Sequence, residues 1–275
     1  MSAPRLLAVV AHPDDEALGF GGTLAKYAAE GVEVFVLSAT RGDAGRYRGH
    51  PPGSDAHPGA PALAAIREAE LRAAAAVLGV HEVELLDYHD QQLDRAVPHE
   101  VIAGIARHLR RIRPDVVLTF GPDGAYGHPD HIAISQFTTA AIVAAAELGP
   151  PTDRDAGGPP HRVSKLYYLA WPASAWAAFE AAFRRLIATV DGQERQATPW
   201  PEWAITSVID TRAVWSTAWR AISCHVSQVT AYERLRDLAP AHHEALWGWQ
   251  SFYRVFSTVN GGRTREVDLL EGINR

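Results

Sequence analysis

The sequence predicts an α/β fold with a Rossmann-like, mostly parallel β-sheet flanked by helices. Short apolar runs typical of buried strands alternate with helix-period segments through the first half of the chain. Most joints between these segments are short, which favours right-handed crossovers and therefore parallel strands. The chain has 275 residues, 47% of them hydrophobic, which is enough for one large domain with a substantial core.

The elements of the first half follow in a regular order. The first strand is predicted over residues 6–11, a short apolar run that ends where charged residues begin. A helix follows over 16–30, because Leu and Ala recur there at helical spacing and Gly31 supplies a C-terminal stop. The same alternation predicts strand 32–39, helix 62–78, strand 83–88, helix 98–112, strand 116–120 and helix 130–147.

The second half is less regular. A fifth strand, 165–170, follows a linker at 150–161 whose prolines and glycines predict a flexible surface loop. Beyond it the sequence predicts strand 204–210, helix 213–226 and further helix over 229–247. We predict a single domain over 1–275. Residues 1–147 form its Rossmann-like core, which carries the candidate functional residues, and 148–275 contribute to a substrate pocket.

Two connecting segments are long for a compact domain. They span residues 40–61, rich in Gly, Pro, His and Arg, and residues 188–203. Loops of this length often serve as lids or binding segments, and plain surface variability explains them equally well.

Composition excludes several classes of partner. A net charge of −6 without a long basic tract argues against nucleic acid. The single cysteine, Cys224, excludes an intrachain disulfide and a cysteine-rich zinc cluster. No stretch approaches the roughly 20 apolar residues of a membrane span, and the N-terminal apolar run is too short for a secretory signal. We therefore predict a cytoplasmic protein with no membrane or nucleic-acid partner, and a homo-oligomer is compatible with the sequence.

Two polar clusters follow predicted strands. Residues 12–16 (HPDDE) come directly after the first strand, and residues 127–131 (GHPDH) come shortly after the fourth. Ligands of open α/β sheets bind beyond the carboxyl ends of the strands, so both clusters are expected in one crevice. Alone, the first cluster is explained by acids at a helix N-terminus and the second by a surface turn. Their joint occurrence at corresponding strand ends indicates a functional site.

The residue types in these clusters suit a hydrolytic zinc ion. Such an ion needs three protein ligands and one open position for water, whose pKa it lowers toward about 7. His12 and Asp15 can provide two ligands, and one histidine of the second cluster can provide the third. The adjacent carboxylates cannot easily both face one ion, so one can bind metal while the other acts as a base. The second histidine remains available to donate a hydrogen bond or a proton. Iron, cobalt and manganese are compatible with the same ligands.

These motifs resemble those of a known family. Residues 11–16 (AHPDDE), with 18–24 (LGFGGTL), resemble the N-terminal signature of the PIG-L/LmbE family of zinc-dependent N-acetylglucosaminyl deacetylases and related amidases. Residues 121–131 (GPDGAYGHPDH) resemble its second signature. The likeness is strongest over 6–147 and weaker afterwards, where 224–228 (CHVSQ) is its main trace. The resemblance implies an LmbE/PIG-L-type fold.

The resemblance also implies roles for individual residues. His12, Asp15 and His131 match the zinc ligands of the family, and Asp14 matches its general base. The choice of His131 over His128 as a ligand comes from the resemblance alone.

Further positions match residues around the reacting group. His128 matches the residue that stabilises the oxyanion or acts as an acid, Asp130 is expected to orient its ring, and Tyr126 matches a tyrosine thought to assist at the oxyanion. Residues expected to contact substrate are Arg67, Arg41, Asp43, Asp90 and His225.

The expected reaction is hydrolysis of an N-acetyl group on a small substrate containing N-acetylglucosamine, which releases acetate and a free amine. The alternative is a metal-dependent amidase that acts on a larger thiol or antibiotic conjugate with the same residues. The N-terminal signature of this sequence has a single histidine before Pro-Asp-Asp-Glu. In this respect it is less similar to the signature of the mycothiol-pathway enzymes, which tend to carry His-Ala-His. A nucleotide-binding Rossmann protein is disfavoured because residues 19–22 (GFGG) do not fit the dinucleotide fingerprint. A catalytically silent carbohydrate-binding protein is disfavoured because every expected catalytic position is filled.

Overall fold

The computed structural model describes residues 3–147, 157–176, 178, 187–190, 193–196, 198–228, 235–262 and 264–273. Within these residues the strands are β1 (Arg5–Val10), β2 (Glu33–Thr40), β3 (Glu82–Tyr88), β4 (Val116–Thr119), β5 (Lys165–Leu169), β6 (Ile187–Val190), β7 (Gln193–Gln196), β8 (Ser207–Asp210) and β9 (Trp249–Ser257). The helices are α1 (Asp15–Ala29), α2 (Ala60–Leu78), α3 (Pro98–Ile112), α4 (Gly124–Gly127), α5 (Pro129–Ala146), α6 (Trp215–Ile222) and α7 (Pro240–Trp247).

Strand order confirms the predicted, mostly parallel sheet. In the described part of the chain, seven strands form one sheet in the order β3-β2-β1-β4-β5-β9-β8, and β6 and β7 form a separate hairpin. Strands β1 to β5 pair in parallel, whereas β9 is antiparallel to β5 and β8. The chain moves outward from β1 to β3 and then returns to the other side of β1 for β4. The strand order therefore reverses between β1 and β4, where open α/β sheets bind their ligands.

Helices cover both faces of this sheet. Helices α1, α2 and α6 pack together, and α3 packs against α5. The glycines of the GFGG run explain the close approach of α1 to its neighbours. A Cβ on Gly21 would lie 3.3 Å from the Cβ of Ala218, and one on Gly22 would lie 2.9 Å from that of Thr211. These glycines therefore permit tight packing.

Most predicted elements of the first half are confirmed to within about two residues at their ends, while the second half needs corrections. Strand β9 was not predicted, although it lies between β5 and β8 in the sheet, because strand formation depends on such tertiary pairing. The predicted loop 188–203 instead holds most of the β6–β7 hairpin, whose second strand reads QERQ and shows no apolar alternation.

Two further expectations concern partly described segments. Part of the helix expected over 229–247 is present as α7, which begins at Pro240. Proline suits the first helical turn, because the N–H that it lacks would have no partner within the helix there. Residues 229–234 and residues 148–156, which include much of the expected linker, lie outside the described residues. In the part of the chain that is described, no helix combines the length and apolarity needed to cross a membrane.

A buried carboxylate holds the C-terminal segment against the strands of the second half. Glu266, 1% exposed, accepts hydrogen bonds from Lys165 of β5 at 2.9 Å, Ser207 of β8 at 2.9 Å and Arg254 of β9 at 2.7 Å. Burial alone would raise the pKa of Glu266, but hydrogen bonds from Asn260, Lys165 and other neighbours lower it to about 2.

We expect Glu266→Gln to lower the free energy of unfolding at pH 7 by about 3–5 kcal/mol, because Lys165 would stay buried without its counter-ion. The stabilisation by the ionised carboxylate is complete above pH 4.5 and is lost as pH falls toward about 2. The difference in unfolding free energy between variant and wild type should therefore shrink in acid. Urea unfolding at pH 7 and pH 3 measures both effects. Glu30→Gln, which breaks an exposed pair with Lys26, should cost no more than about 1 kcal/mol. An equal cost for both variants at pH 7 would contradict the assignment.

Candidate metal and catalytic site

The two polar clusters meet at the carboxyl ends of β1 and β4. His12 lies just beyond β1, and Asp15 is the first residue of α1. His131 lies in the first turn of α5, where its ring stacks on Phe120 with the ring centroids 4.0 Å apart. All three polar residues are at least nine-tenths buried. The adjacent positions of β1 and β4 in the sheet therefore bring together residues that are more than 100 positions apart.

Three side chains converge with the spacing of a metal site. The Nδ1 atom of His12 lies 3.2 Å from Nε2 of His131 and 3.6 Å from Oδ2 of Asp15. Oδ1 of Asp15 lies 3.4 Å from Nε2 of His131. A tetrahedral zinc with bonds of about 2.0–2.1 Å would separate its ligand atoms by about 3.4 Å. Two ring nitrogens and a carboxylate at these separations fit a divalent cation, so His12, Asp15 and His131 form a candidate metal site.

The other nitrogen of His12 faces two buried carboxylates. Its Nε2 lies 3.0 Å from Oδ1 of Asp90 and 3.2 Å from Oδ2 of Asp130. Burial disfavours the charged ring, but hydrogen bonds with Asp130, Asp15 and Asp90 outweigh it and raise the pKa of His12 well above 6.5. In the neutral ring that can bind a metal, a proton on Nε2 would satisfy both carboxylates and leave the Nδ1 lone pair directed at the candidate metal position. Such carboxylate partners are common for metal-binding histidines.

His131 and His128 favour the neutral form. Burial lowers the pKa of His131 to about 3 and also lowers the pKa of His128. A neutral ring is the form in which histidine binds a metal. The Nδ1 atom of His128 accepts a hydrogen bond from the backbone N–H of Asp130 at 3.2 Å. The proton of neutral His128 therefore lies on Nε2, which is available as a donor.

The carboxylate of Asp130 contacts His12, and its contact with the His128 ring is through its backbone N–H. The Asp130 side chain is fully buried, and it also accepts hydrogen bonds from the backbone N–H groups of Gln91 at 2.7 Å and Leu93 at 3.1 Å. This geometry places Asp130 behind His12, a candidate metal ligand, whereas the sequence predicts that Asp130 orients the ring of His128.

Asp14 lies beside the candidate metal ligands in an unusual backbone conformation. Its φ of 115° and ψ of −26° are in the left-handed region, which a non-glycine residue adopts only at an energetic cost. Its carboxylate accepts a hydrogen bond from Nη2 of Arg67 at 3.2 Å. Asp14 is thus held apart from Asp15, which agrees with a division between one metal-binding and one proton-transferring carboxylate.

Arg67 is buried inside the site, with 4% of its surface exposed. Besides Asp14, it donates hydrogen bonds to the backbone oxygens of Pro13 at 2.5 Å and Gly42 at 3.1 Å. It therefore joins the segments that follow β1 and β2 and keeps a positive charge against Asp14.

Tyr126 is carried by a strained turn at the site. The preceding residue, Ala125, has φ 63° and ψ −57°, a conformation that is rare and strained for a residue with a side chain. The Tyr126 ring lies edge-on to His131 and His128, at centroid distances of 5.3 and 5.9 Å. Burial raises the pKa of Tyr126, and the negative charge of Asp15 adds to this shift, so its hydroxyl stays protonated as a donor.

The remaining predicted contacts are distributed around the site. The side chain of Arg41 pairs with carboxylates of α2 and β3: its Nε donates to Glu68 at 2.9 Å and a second nitrogen contacts Asp87. Asp43 accepts a hydrogen bond from the backbone N–H of Asp90 at 3.0 Å and so holds the Asp90 turn in place. Asp90 itself reaches His12 as described above.

His225 lies beneath the surface of the site. Its side chain has no exposed surface, and its Nε2 lies 2.8 Å from Oε1 of Glu16. This burial argues against direct contact with substrate. Glu16, which belongs to the HPDDE motif, received no individual role from the sequence because its partner is 209 positions away.

Comparison with known proteins agrees with this site. The family model described as PIG-L, GlcNAc-PI de-N-acetylase, matches residues 7–142, which contain both polar clusters. A relative from Rhodococcus jostii, named 1D-myo-inositol 2-acetamido-2-deoxy-alpha-D-glucopyranoside deacetylase, is 37% identical over 250 residues, covering 84% of this chain and 83% of the relative. A relative of the same name from Kineococcus radiotolerans is 35% identical, and the alignment covers 98% of this chain and 83% of the relative.

A solved structure shows the same fold. The N,N'-diacetylchitobiose deacetylase from Pyrococcus horikoshii superposes with a TM-score of 0.65 and 22% identity, covering 92% of this chain and 84% of that one. The two sequence relatives, which align over most of the chain, and the matched family model identify the chain: it belongs to the PIG-L family of de-N-acetylases.

Proposed function

We propose that this chain hydrolyses the acetamide of an N-acetylglucosamine unit linked to inositol, releasing acetate and the free amine. The observation that carries the proposal is the arrangement of three metal-ligating atoms beside a separate carboxylate, Asp14, at the switch point of the sheet. The substrate follows from the relatives, which are named for an inositol 2-acetamido-2-deoxyglucopyranoside. The single cysteine fits a reducing compartment, and we place the reaction in the cytoplasm.

His12, Asp15 and His131 would hold the metal. We assign zinc, since two histidines and one carboxylate form a typical hydrolytic set. Iron, cobalt and manganese accept the same ligands, so the identity of the metal is part of the proposal. When bound, the ion would polarise the acetamide carbonyl and lower the pKa of a water molecule. Asp90 and Asp130 would keep the His12 ring in the tautomer that exposes Nδ1.

Asp14 would act as the general base. Its carboxylate takes a proton from the attacking water and returns a proton to the leaving nitrogen, so that the carbon–nitrogen bond breaks with an amine as the leaving group. Arg67 donates a hydrogen bond to this carboxylate and so orients it. Water adds its oxygen to the acetyl carbon, and acetate is the second product.

His128 and Tyr126 would stabilise the oxyanion of the tetrahedral intermediate. The proton of neutral His128 lies on Nε2, and the Tyr126 hydroxyl is kept protonated by its surroundings. Donors directed at developing negative charge are typically worth about 3–4 kcal/mol each in a site that excludes water. Arg41 and Asp43, which follow β2, are our candidates for contacts with substrate hydroxyls.

Amine release from a panel of substrates tests this proposal. The panel comprises the inositol glycoside of N-acetylglucosamine, free N-acetylglucosamine, N,N'-diacetylchitobiose, an N-acylated thiol conjugate and an N-acylated glycopeptide. We expect the inositol glycoside to show the highest kcat/KM. Hydrolysis of only one of the two larger conjugates would instead support an amidase with the same residues and overturn the substrate assignment.

A further inference from the structure

A buried pair lies directly behind the proposed base. The side chains of Glu16 and His225 have no exposed surface, and Oε1 of Glu16 lies 2.8 Å from Nε2 of His225. Removing an ionisable pair from water is costly unless its remaining polar atoms are hydrogen-bonded. The partner of the second Glu16 oxygen therefore indicates what the pair does.

That second oxygen binds the backbone of Asp14. Oε2 of Glu16 accepts a hydrogen bond from the Asp14 N–H at 2.9 Å. Asp14 has a φ of 115°, in the region that favours glycine, so its backbone needs external support to keep this conformation. A buried acceptor for its N–H provides that support.

The other polar groups of Asp14 are also held. Its carbonyl oxygen accepts hydrogen bonds from the N–H groups of Ala17 at 3.1 Å and Leu18 at 2.9 Å, both in the first turn of α1. Its carboxylate is bound by Arg67. Glu16 completes this set, because its contact fixes the peptide that precedes the Asp14 side chain.

His225 is in turn fixed by the segment 225–228. The backbone N–H and the hydroxyl of Ser227 both donate to the carboxylate of Glu70 on α2, each at 2.6 Å. The backbone carbonyl oxygen of Ser227 accepts a hydrogen bond from the backbone N–H of Arg48 at 2.6 Å. The segment thus joins α2, the loop after β2 and, through His225, the first turn of α1.

We propose that Glu16 and His225 are positioning residues that set the backbone conformation of Asp14 and thereby aim its carboxylate. This inference rests on the proposed function only in taking Asp14 as the base. It gives the CHVSQ segment a role in catalysis without contact with substrate, since His225 acts through Glu16 and Glu16 acts through the Asp14 N–H.

Kinetics of single and double variants test the pair. We expect His225→Ala and Glu16→Ala each to lower kcat about 10- to 100-fold, the range for a misplaced catalytic group, with KM and metal content little changed. Glu16→Gln, whose amide oxygen still accepts from Asp14, should lose less activity than Glu16→Ala. In an Asp14→Asn background, His225→Ala should cause no further loss, because its effect passes through the base. A further loss of the same size in that background would overturn the proposal.

A matched buried histidine controls for general damage. His161, 8% exposed, contacts the backbone oxygen of Pro114 at 2.8 Å. Pro114 precedes β4, so this contact is at the amino end of the strand, whereas the site is at the carboxyl end. His161→Ala should lower stability while kcat stays at the wild-type value, and an equal loss of kcat in His161→Ala and His225→Ala would assign the His225 effect to general damage.

Hydrogen exchange separates this inference from the proposed reaction. The Asp14 amide proton, bound to a buried carboxylate, should exchange faster with solvent in Glu16→Ala and His225→Ala than in wild type. Unchanged exchange in both variants would overturn the positioning role whatever the substrate. Faster exchange in an enzyme that releases no amine from any substrate would overturn the proposed function and leave the structural link between the pair and Asp14 intact.

Discussion

Replacement of Asp14 by Asn is expected to lower kcat by about 10²- to 10⁴-fold, the usual contribution of a general base. The amide has nearly the shape of the carboxylate and can still accept the hydrogen bond from Arg67, but it cannot take a proton from water. KM should change little, and one metal ion per chain should remain, because the proposed ligands His12, Asp15 and His131 are intact. Steady-state kinetics and metal analysis on the same sample measure both quantities.

An exposed carboxylate supplies the control for this variant. Asp210 pairs with Arg212 at the end of β8, and its side chain is 45% exposed. Asp210→Asn changes the net charge by the same amount and should leave kcat unaltered. Retention of wild-type turnover by Asp14→Asn, with its metal bound, would show that another group is the base.

The second large effect is expected at the metal. His131→Ala removes one of the three proposed ligands, and we expect metal affinity to fall by more than about 100-fold, with activity lost at ordinary metal concentrations. Asp90→Asn removes only a partner of His12 and should weaken binding by about 10- to 100-fold, the range for outer-shell partners. Competition with a chelator measures affinity independently of catalysis.

The order of these two affinities distinguishes ligand from support. Asp90 and His131 are similarly buried, at 5% and 2% exposure, so a difference between the variants cannot come from burial alone. Wild-type metal affinity in His131→Ala would exclude His131 as a ligand. His128 would then be the candidate, since His12, His128 and Asp130 form a second cluster of metal-binding type.

The sequence predicted the fold well wherever local pattern determines structure. The elements from β1 to β5 have short apolar runs or helical periodicity with clear stops, so type and order could be read directly. Strand β9 was missed because its place between β5 and β8 depends on pairing partners that are distant in sequence. The β6–β7 hairpin was missed because its second strand is polar throughout.

For the site, the motifs located the crevice, while the contacts within it came only from the structure. His12, Asp15 and His131 converge because β1 and β4 are neighbours, and the strand alternation predicts that proximity. The contact of the Asp130 carboxylate with His12 depends on side-chain directions at the start of α5, which spacing does not specify. The bond between Glu16 and His225 joins the two halves of the chain and has no local signal.

Apo enzyme that is reconstituted with single metals tests the central claim most directly. Metal is first removed from the protein with a chelator, and the metal-free protein is mixed with the inositol glycoside of N-acetylglucosamine. Acetate and free amine are then both quantified, before and after addition of zinc, iron, cobalt or manganese. We predict no release without metal, and equal amounts of acetate and amine once one metal ion is bound per chain. Undiminished release by protein shown to be metal-free, or acetate without amine, would contradict a metal-dependent deacetylase built on His12, Asp15 and His131.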